Sequence, residues 1–306
     1  MKKILSGLLI LLLILSGCQP QPTNGYQRFD QSTFDAGFDT ITRLIAYAED
    51  QETFDFYFNA MIDEFMVLHR LFDRFENYDG INNIKTINDQ AGIAPVVVDP
   101  FIIDLLKVSK HWYDHGEHLL DITLGAVLDV WQDYREAGLV QNNNDLGGEI
   151  PTLEILKEAQ ACTGWDLVEI DETKSTVFLT KPCASLDVGA TAKGYAAEVI
   201  ARSLEEKGMQ YGLLSAGGNV RSINTKADGD GWGVGIELPQ MYSPSSADTL
   251  KIPFSTSIVT SGDYQRYYIG VDGEAYHHVI DPFTLFPQTY FHSVTIVVKD
   301  SGIADA

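Results

Sequence analysis

The chain begins with an apolar stretch of twelve residues, 4–15, and then turns periodic. Twelve residues are too few to span a bilayer, which takes about 20. Residues 38–47 alternate enough to predict a strand. Phe54, Phe58, Met61, Phe65, Leu68, Phe72 and Phe75 then recur at alternating steps of four and three. That spacing is one face of a long amphipathic helix. Its aromatic stripe is read as core, and Phe75 and Tyr78 at its exit are the aromatics placed to reach a ligand. Asp99 followed by Pro100 starts a second helix, an N-cap with proline at the first helical position. Ile102, Leu105, Leu106 and Trp112 form its inner face, and Gly116 stops it.

Further helices are expected over 124–136, 152–163 and 192–207, the last two closed by Gly164 and Gly208. Residues 141–148 read as a surface loop. A hairpin is expected from 165–170 and 176–180, and later strands over 211–215, 232–237, 258–260, 276–280 and 293–298. Helices concentrate early and strands late. The expected fold is therefore α+β, a mixed α/β roll with helices mainly in the N-terminal half and antiparallel-rich sheets in the C-terminal half. One continuous domain is expected over 38–306, without internal repeat or linker.

Charge narrows the partners. The 306 residues carry a formal net charge of −22. Without Lys2 and Lys3, nineteen basic residues stand against 43 acidic ones, or −24. Nucleic acid is excluded as a partner, because phosphate backbones need a basic face. A phosphate ligand must be held locally, against a repulsive field.

The N-terminus changes the picture again. Lys2 and Lys3, the short apolar run, and then Leu15, Ser16, Gly17 and Cys18 form a lipoprotein signal peptide with its lipobox over 1–18. Cys18 is the expected acceptor of the lipid, palmitate included, and the mature chain is expected at the extracytoplasmic face of the cell membrane. An uncleaved N-terminal anchor is the alternative. Residues 19–37 are expected to be a tether, its start carrying two prolines. Cys162 and Cys183 then remain, too few for a disulfide framework. They are expected to be buried free thiols, with a bridge outside the cytoplasm as the alternative.

The chemistry concentrates in four segments. Residues 185–195 read SLDVGATAKGY and place Asp187, Gly189 and Lys193 around a strand-to-helix turn. Gly189 permits close backbone approach, and the helix N-terminus and Lys193 suit a phosphate. Taken alone, the segment is equally a plain strand–turn–helix. Downstream lie SAGGNV at 215–220, TSGDYQRYY at 260–268 and YHHVIDP at 276–282. His277 and His278 are adjacent, so on a strand only one can enter a site. His111, His115 and His118 are read as solvated histidines rather than a metal cluster. No nucleophile elbow, paired-cysteine zinc site or Walker loop is present.

These four segments, in this order and spacing, resemble the ApbE family of FAD:protein FMN transferases, and the lipoprotein members most closely. The likeness covers 38–306. It implies Mg²⁺-dependent transfer of FMN from FAD to a threonine hydroxyl of an extracytoplasmic partner, an acceptor domain of an electron-transfer system, with release of AMP. It implies His278 as the general base. It places FAD against Phe38, Tyr78, Leu120, Asp121, Ile122, Asp187, Lys193, Gly217, Gly218 and Val279, with Ser261 and Asp263 bracing. It assigns Mg²⁺ to the Ala190 carbonyl, to Asp305 and to a threonine that would follow residue 306. The domain is accordingly expected to be truncated at its C-terminus, as a fragment or as a chain with a weakened metal site. Phe38 and Asp39 stand where the family has methionine and glycine, which puts the local backbone approach in doubt. A flavin-binding carrier lipoprotein without transferase activity and an FAD pyrophosphatase giving FMN and AMP are the alternatives.

The lipobox generates one test. Cys18→Ser should leave an uncleaved, unlipidated precursor on intact mass analysis. Normal processing of that variant would contradict the lipoprotein assignment.

Overall fold

The computed structural model describes residues 25–239, 246–264 and 266–306. The signal peptide, Cys18 and the start of the tether lie outside the described residues. No described helix is long and apolar enough to cross a membrane.

The fold is α+β, with five of the seven described α-helices before residue 161. Its centre is an all-antiparallel six-stranded sheet, β1 (Gln27–Thr33), β2 (Thr42–Ala48), β6 (Tyr211–Ala216), β7 (Asn219–Ile223), β10 (Ser257–Gly262) and β13 (Ser293–Val298), in that spatial order. β1 corrects the tether expected over 19–37. Its QRFDQST shows no buried face, as suits an edge strand paired only with β2. The Arg43 guanidinium grips Asp30 across that pair at 2.7 Å, and the Phe29 ring stacks on Phe54 at 5.2 Å.

Alternation on β2 builds two cores at once. Leu44, Ala46 and Ala48 point to the helical side; Ile45 and Tyr47 point to the other. The helical side holds α1 (Gln51–Phe72) and α6 (Ala192–Glu206). Asp50 caps α1 by accepting the Thr53 N–H, and Phe54, Phe58, Met61, Phe65, Leu68 and Phe72 are all buried. Each such side chain contributes about 1.5–3 kcal/mol of burial. Phe75 lies past the helix end and is exposed. The opposite face is closed by the hairpin β8 (Trp232–Glu237) and β9 (Ser246–Ile252), through Trp232, Val234 and Ile252.

A third core stands apart from the large sheet. It joins α4 (Gly125–Asn142) and α5 (Leu153–Gln160) to the strands β11 (Tyr267–Ile269) and β12 (Ala275–His277). α4 runs six residues further than expected and takes in the start of the supposed loop over 141–148. Gly138 and Gly148 allow the Tyr268 ring to lie flat against both backbones. The remaining helices are α2 (Ile84–Asp89), α3 (Pro100–His115) and α7 (Ser301–Asp305). β3 (Val96–Val97) completes a small sheet with the hairpin β4 (Val168–Asp171) and β5 (Thr176–Leu179).

Cys162 and Cys183 form a disulfide, which corrects the expectation of free thiols. The β4–β5 hairpin turns the chain back on itself and brings the two Cα atoms to 5.5 Å, within bridging reach. Closing a loop with a sequence separation of 21 stabilises the fold by about 3 kcal/mol in the chain-entropy account.

Candidate functional site

The turn before α6 is held from three sides. Asp187 folds it internally, its Oδ1 accepting the Gly189 N–H at 2.8 Å. Asn88 at the end of α2 clamps Leu186, donating to its carbonyl and accepting its N–H at 3.0 and 2.8 Å. Arg74, just past α1, donates to Asp187 Oδ2 at 2.7 Å, to Asp129 at 2.5 Å and to Ser185 Oγ at 3.2 Å. Its side chain is 9 % exposed, and its Nε has no partner. Sequence reasoning missed both Arg74 and Asn88. No spacing rule links positions about a hundred residues apart.

The first turn of α6 has no local side-chain cap from Thr191. Asp305 supplies one from α7, its Oδ2 accepting the Gly194 N–H at 2.7 Å. A Cβ on Gly194 would lie 2.4 Å from both Asp305 and the Ser301 carbonyl, so only glycine fits. This alters the expectation of a free anion site at that helix N-terminus: one orphan N–H is already taken by a carboxylate. Gly194 is the third residue of α6, so its N–H belongs to the first-turn donors that no helix carbonyl satisfies. No amide among the described residues claims the Ala190 carbonyl, which lies just before the N-cap.

α7 is fastened by a buried ion pair. Glu198 on α6 accepts from Arg221 on β7 at 2.8 Å and from the Ser301 N–H at 3.0 Å. Asp300 caps α7 through the Gly302 and Ile303 N–H groups and also takes Arg202. Burial would raise the Glu198 pKa, but Arg221, the Ser301 N–H and Arg202 outweigh it and hold the carboxyl below its ordinary range.

Lys193, Asp305, Arg266 and His278 share one field. Burial lowers the Lys193 pKa, with Arg266 adding to this and Asp305 opposing it. Burial raises the Asp305 pKa against the pull of Lys193 and the Gly194 N–H. Burial and then the Arg266 charge lower the His278 pKa to about 4. The His278 side chain is exposed to water. Its imidazole is neutral at neutral pH and can accept a proton. Asn219 is buried beside Asp305, and its amide helps to lower that carboxyl's pKa without a hydrogen bond of good geometry.

The strand expected over 276–280 ends at His277, and the two histidines divide at its end, with His278 on the bend that follows. His277 is buried, its Nε2 on the Gln288 carbonyl at 2.7 Å and its Nδ1 taking the Val279 N–H. Val279 also gives its carbonyl to Gln288 N, so only its side chain remains for a ligand. Other expected ligand residues are drawn into the fold. Phe38 is in the left-handed region with φ 56°, its N–H on His69 and its ring against Phe65 and His69. Tyr78 donates to Asp73 at 2.6 Å and lies under Arg70, and burial and Asp73 push its pKa up to about 12. Ile122 is fully buried and offers only its carbonyl, which the Asp187 N–H takes at 2.8 Å. Asp121 caps Thr123, while Leu120 is half-buried beside it. Gly217 and Gly218 form the two-residue β6–β7 turn, both with positive φ, and Gly217 presses on Thr40. Asp263 ties His292. His111, His115 and His118 are exposed, and no group of three or more His, Cys, Asp or Glu suited to a metal occurs among the described residues.

Hollows of about 470 and 510 Å³ lie away from this site, on α5 and between α1 and α6.

Known proteins agree with the geometry. The family profile described as "ApbE family" matches residues 38–306. A Klebsiella pneumoniae FAD:protein FMN transferase is 29 % identical over 237 residues, 76 % of this chain and 69 % of that one. The Treponema pallidum FAD:protein FMN transferase is 32 % identical, over 73 % of this chain and 62 % of its own. Among solved structures, the ApbE protein of Thermotoga maritima superposes with a TM-score of 0.76 at 27 % identity, covering 91 % of this chain and 84 % of that one. The Vibrio cholerae flavin transferase ApbE shares the fold, with a TM-score of 0.72 at 22 % identity and coverage of 92 % and 84 %.

The electrostatics of His278 can be measured directly. In the free protein its imidazole should stay neutral from pH 8 down to about pH 5.5, with a midpoint near 4. Histidine-labelled NMR, assigned with His278→Gln, reads this. A midpoint at the ordinary value of about 6.5 would contradict the site as described.

Proposed function

The chain belongs to the ApbE family and is an FAD:protein FMN transferase, and on that premise we propose that it uses Mg²⁺ and a threonine acceptor on an extracytoplasmic partner protein. The observation that carries the metal assignment is that the Asp305 carboxylate sits on the Gly194 N–H at the start of α6, where no amide among the described residues claims the Ala190 carbonyl. Hard oxygen donors of that kind suit Mg²⁺, which keeps waters and substrate phosphates as its other ligands. When bound, Mg²⁺ neutralises charge on the pyrophosphate.

The chain's own groups do the rest. Lys193 faces the same region and adds a positive charge for the pyrophosphate. The Asn219 amide, buried beside Asp305, supplies a donor to a phosphate oxygen. His278 takes the proton of the acceptor hydroxyl as its oxygen attacks the FMN phosphorus of FAD. The pyrophosphate P–O bond breaks and AMP leaves with the electron pair. Catalysis of this kind rests on positioning and charge compensation. Arg74 and Asn88 hold the Asp187 turn, and so the approach to Lys193, in place.

The envelope location is part of the same proposal. The lipobox at Cys18 would anchor the chain outside the cytoplasm, and the Cys162–Cys183 bridge suits an oxidising compartment.

The test is incubation with FAD, Mg²⁺ and an acceptor domain, followed by intact mass of the acceptor. The parent should add one FMN per acceptor. His278→Ala should keep its FAD affinity and lose about 10²–10⁴-fold in rate, as for a positioned base. By calorimetry, Mg²⁺ should tighten FAD binding in the parent and not in Asp305→Ala. Equal FAD affinity with Mg²⁺ and with chelator in the parent would overturn the metal assignment. Release of FMN and AMP without a labelled acceptor would point to hydrolysis.

A further inference from the structure

We propose that the aromatic loop over 283–291 is the docking platform for the acceptor protein, an inference that rests on the transferase reading above. The loop follows the segment after β12 that holds His278 and returns beside it. The Gln288 N–H donates to the Val279 carbonyl at 3.0 Å, and the Gln288 carbonyl meets the His277 ring at 2.7 Å. The Asp281 N–H donates to Phe286 and the Leu285 N–H to Asp281, which closes the turn between. Trp131 Nε1 holds the Leu285 carbonyl at 2.8 Å from the third core.

The Gln288 side chain continues the clamp outward. Its Oε1 accepts the Tyr290 N–H at 2.7 Å, and its Nε2 donates to the Phe291 carbonyl at 3.0 Å. Beyond them, the His292 carbonyl takes the Asp263 N–H at 3.1 Å and its ring pairs with Asp263 Oδ2 at 2.8 Å. Tyr290 and Phe291 are thus bracketed between Gln288, bonded to His277 and Val279, and His292, bonded to Asp263 just past β10. Their backbone is fixed, yet their side chains are 78 % and 66 % exposed, and Phe283 in the same loop is 63 % exposed.

A backbone held by so many bonds, with its aromatics facing water, is arranged for a partner rather than for a core. Aromatic anchors of this kind dominate protein–protein binding energy, and a fixed backbone limits the ordering cost. The activity requires a protein to bring a hydroxyl to His278, so this rim must meet its surface. The occupant is therefore the folded acceptor, contacting Tyr290, Phe291 and Phe283 with an apolar patch beside its acceptor hydroxyl. Apolar contact also suits a chain of net charge −22, which repels an acidic partner at long range. A membrane surface fits less well. Bilayer pressed on this loop would cover the cleft that the acceptor must enter.

The full chain carrying Tyr290→Ser and Phe291→Ser should be compared with the parent. The probe is a purified acceptor domain that the Vibrio cholerae flavin transferase flavinylates, varied in concentration at saturating FAD. The KM for the acceptor domain should rise by about tenfold or more, as for loss of a hot spot. The rate at saturating acceptor, the FAD affinity and the unfolding midpoint should stay near parental values. Tyr290→Phe should recover most of the loss. An unchanged KM overturns the docking proposal alone. A parent that labels no acceptor overturns the transferase reading and the docking with it. Lost binding to phosphatidylglycerol vesicles with an unchanged KM assigns the loop to lipid and overturns the proposal. If the double variant unfolds, the two single variants are read in the same assay.

Discussion

The buried pair of Glu198 and Arg221 is the interaction on which the site depends. Both side chains are nearly closed to water, 8 % and 6 % exposed. Buried pairs are poor sources of net stability, because desolvation consumes most of the Coulomb gain. Removing one partner is another matter and costs about 3–5 kcal/mol, because the other charge is stranded. Here the pair adds a third bond, from the Ser301 N–H. Three elements distant in sequence thus meet at one carboxylate: α6, β7 and the start of α7.

The consequence is geometric. α7 has only five residues and cannot hold its place alone. Fastened at Ser301, it lies backbone to backbone against α6, which Gly194 and Gly302 allow by having no side chains. Asp305 then reaches the Gly194 N–H, with Asn219 beside it and Lys193 in its field, and Lys193 and Arg266 act on His278 in turn. The Glu198 carboxyl is held below its ordinary pKa. Its contribution is therefore present above a pH of about 4.5 and lost as acid protonates it.

Much of this was legible in the residue pattern, and for physical reasons. The four-and-three aromatic spacing of α1 and the Asp99–Pro100 cap are local rules, and local rules survive in the fold. That only one of His277 and His278 is buried agrees with the sequence reading, although His278 sits on the bend after β12 rather than on the strand. What was illegible is what depends on long-range assembly. Arg74 meets Asp187 across 113 positions, and Glu198 meets Ser301 across 103. β1 carries a single apolar residue, Phe29, among polar ones, so no alternation announces it. The disulfide needed the β4–β5 hairpin to bring its cysteines together. Phe38, Ile122 and the glycine pair at 217–218 were read as ligand contacts, yet each has a packing or turn role of its own.

The central claim is that Glu198 holds α7, and with it Asp305, against α6. Amide hydrogen exchange on Glu198→Gln tests it most directly, since the substitution keeps the shape and removes the charge. Losing a hydrogen bond to a charged group costs about 1.5–3 kcal/mol, so the Gly194 and Ser301 amides should exchange about 10–100-fold faster. Amides of α4 and β11, in the separate third core, should keep their parental protection. Unchanged protection at Gly194 and Ser301 would contradict the account.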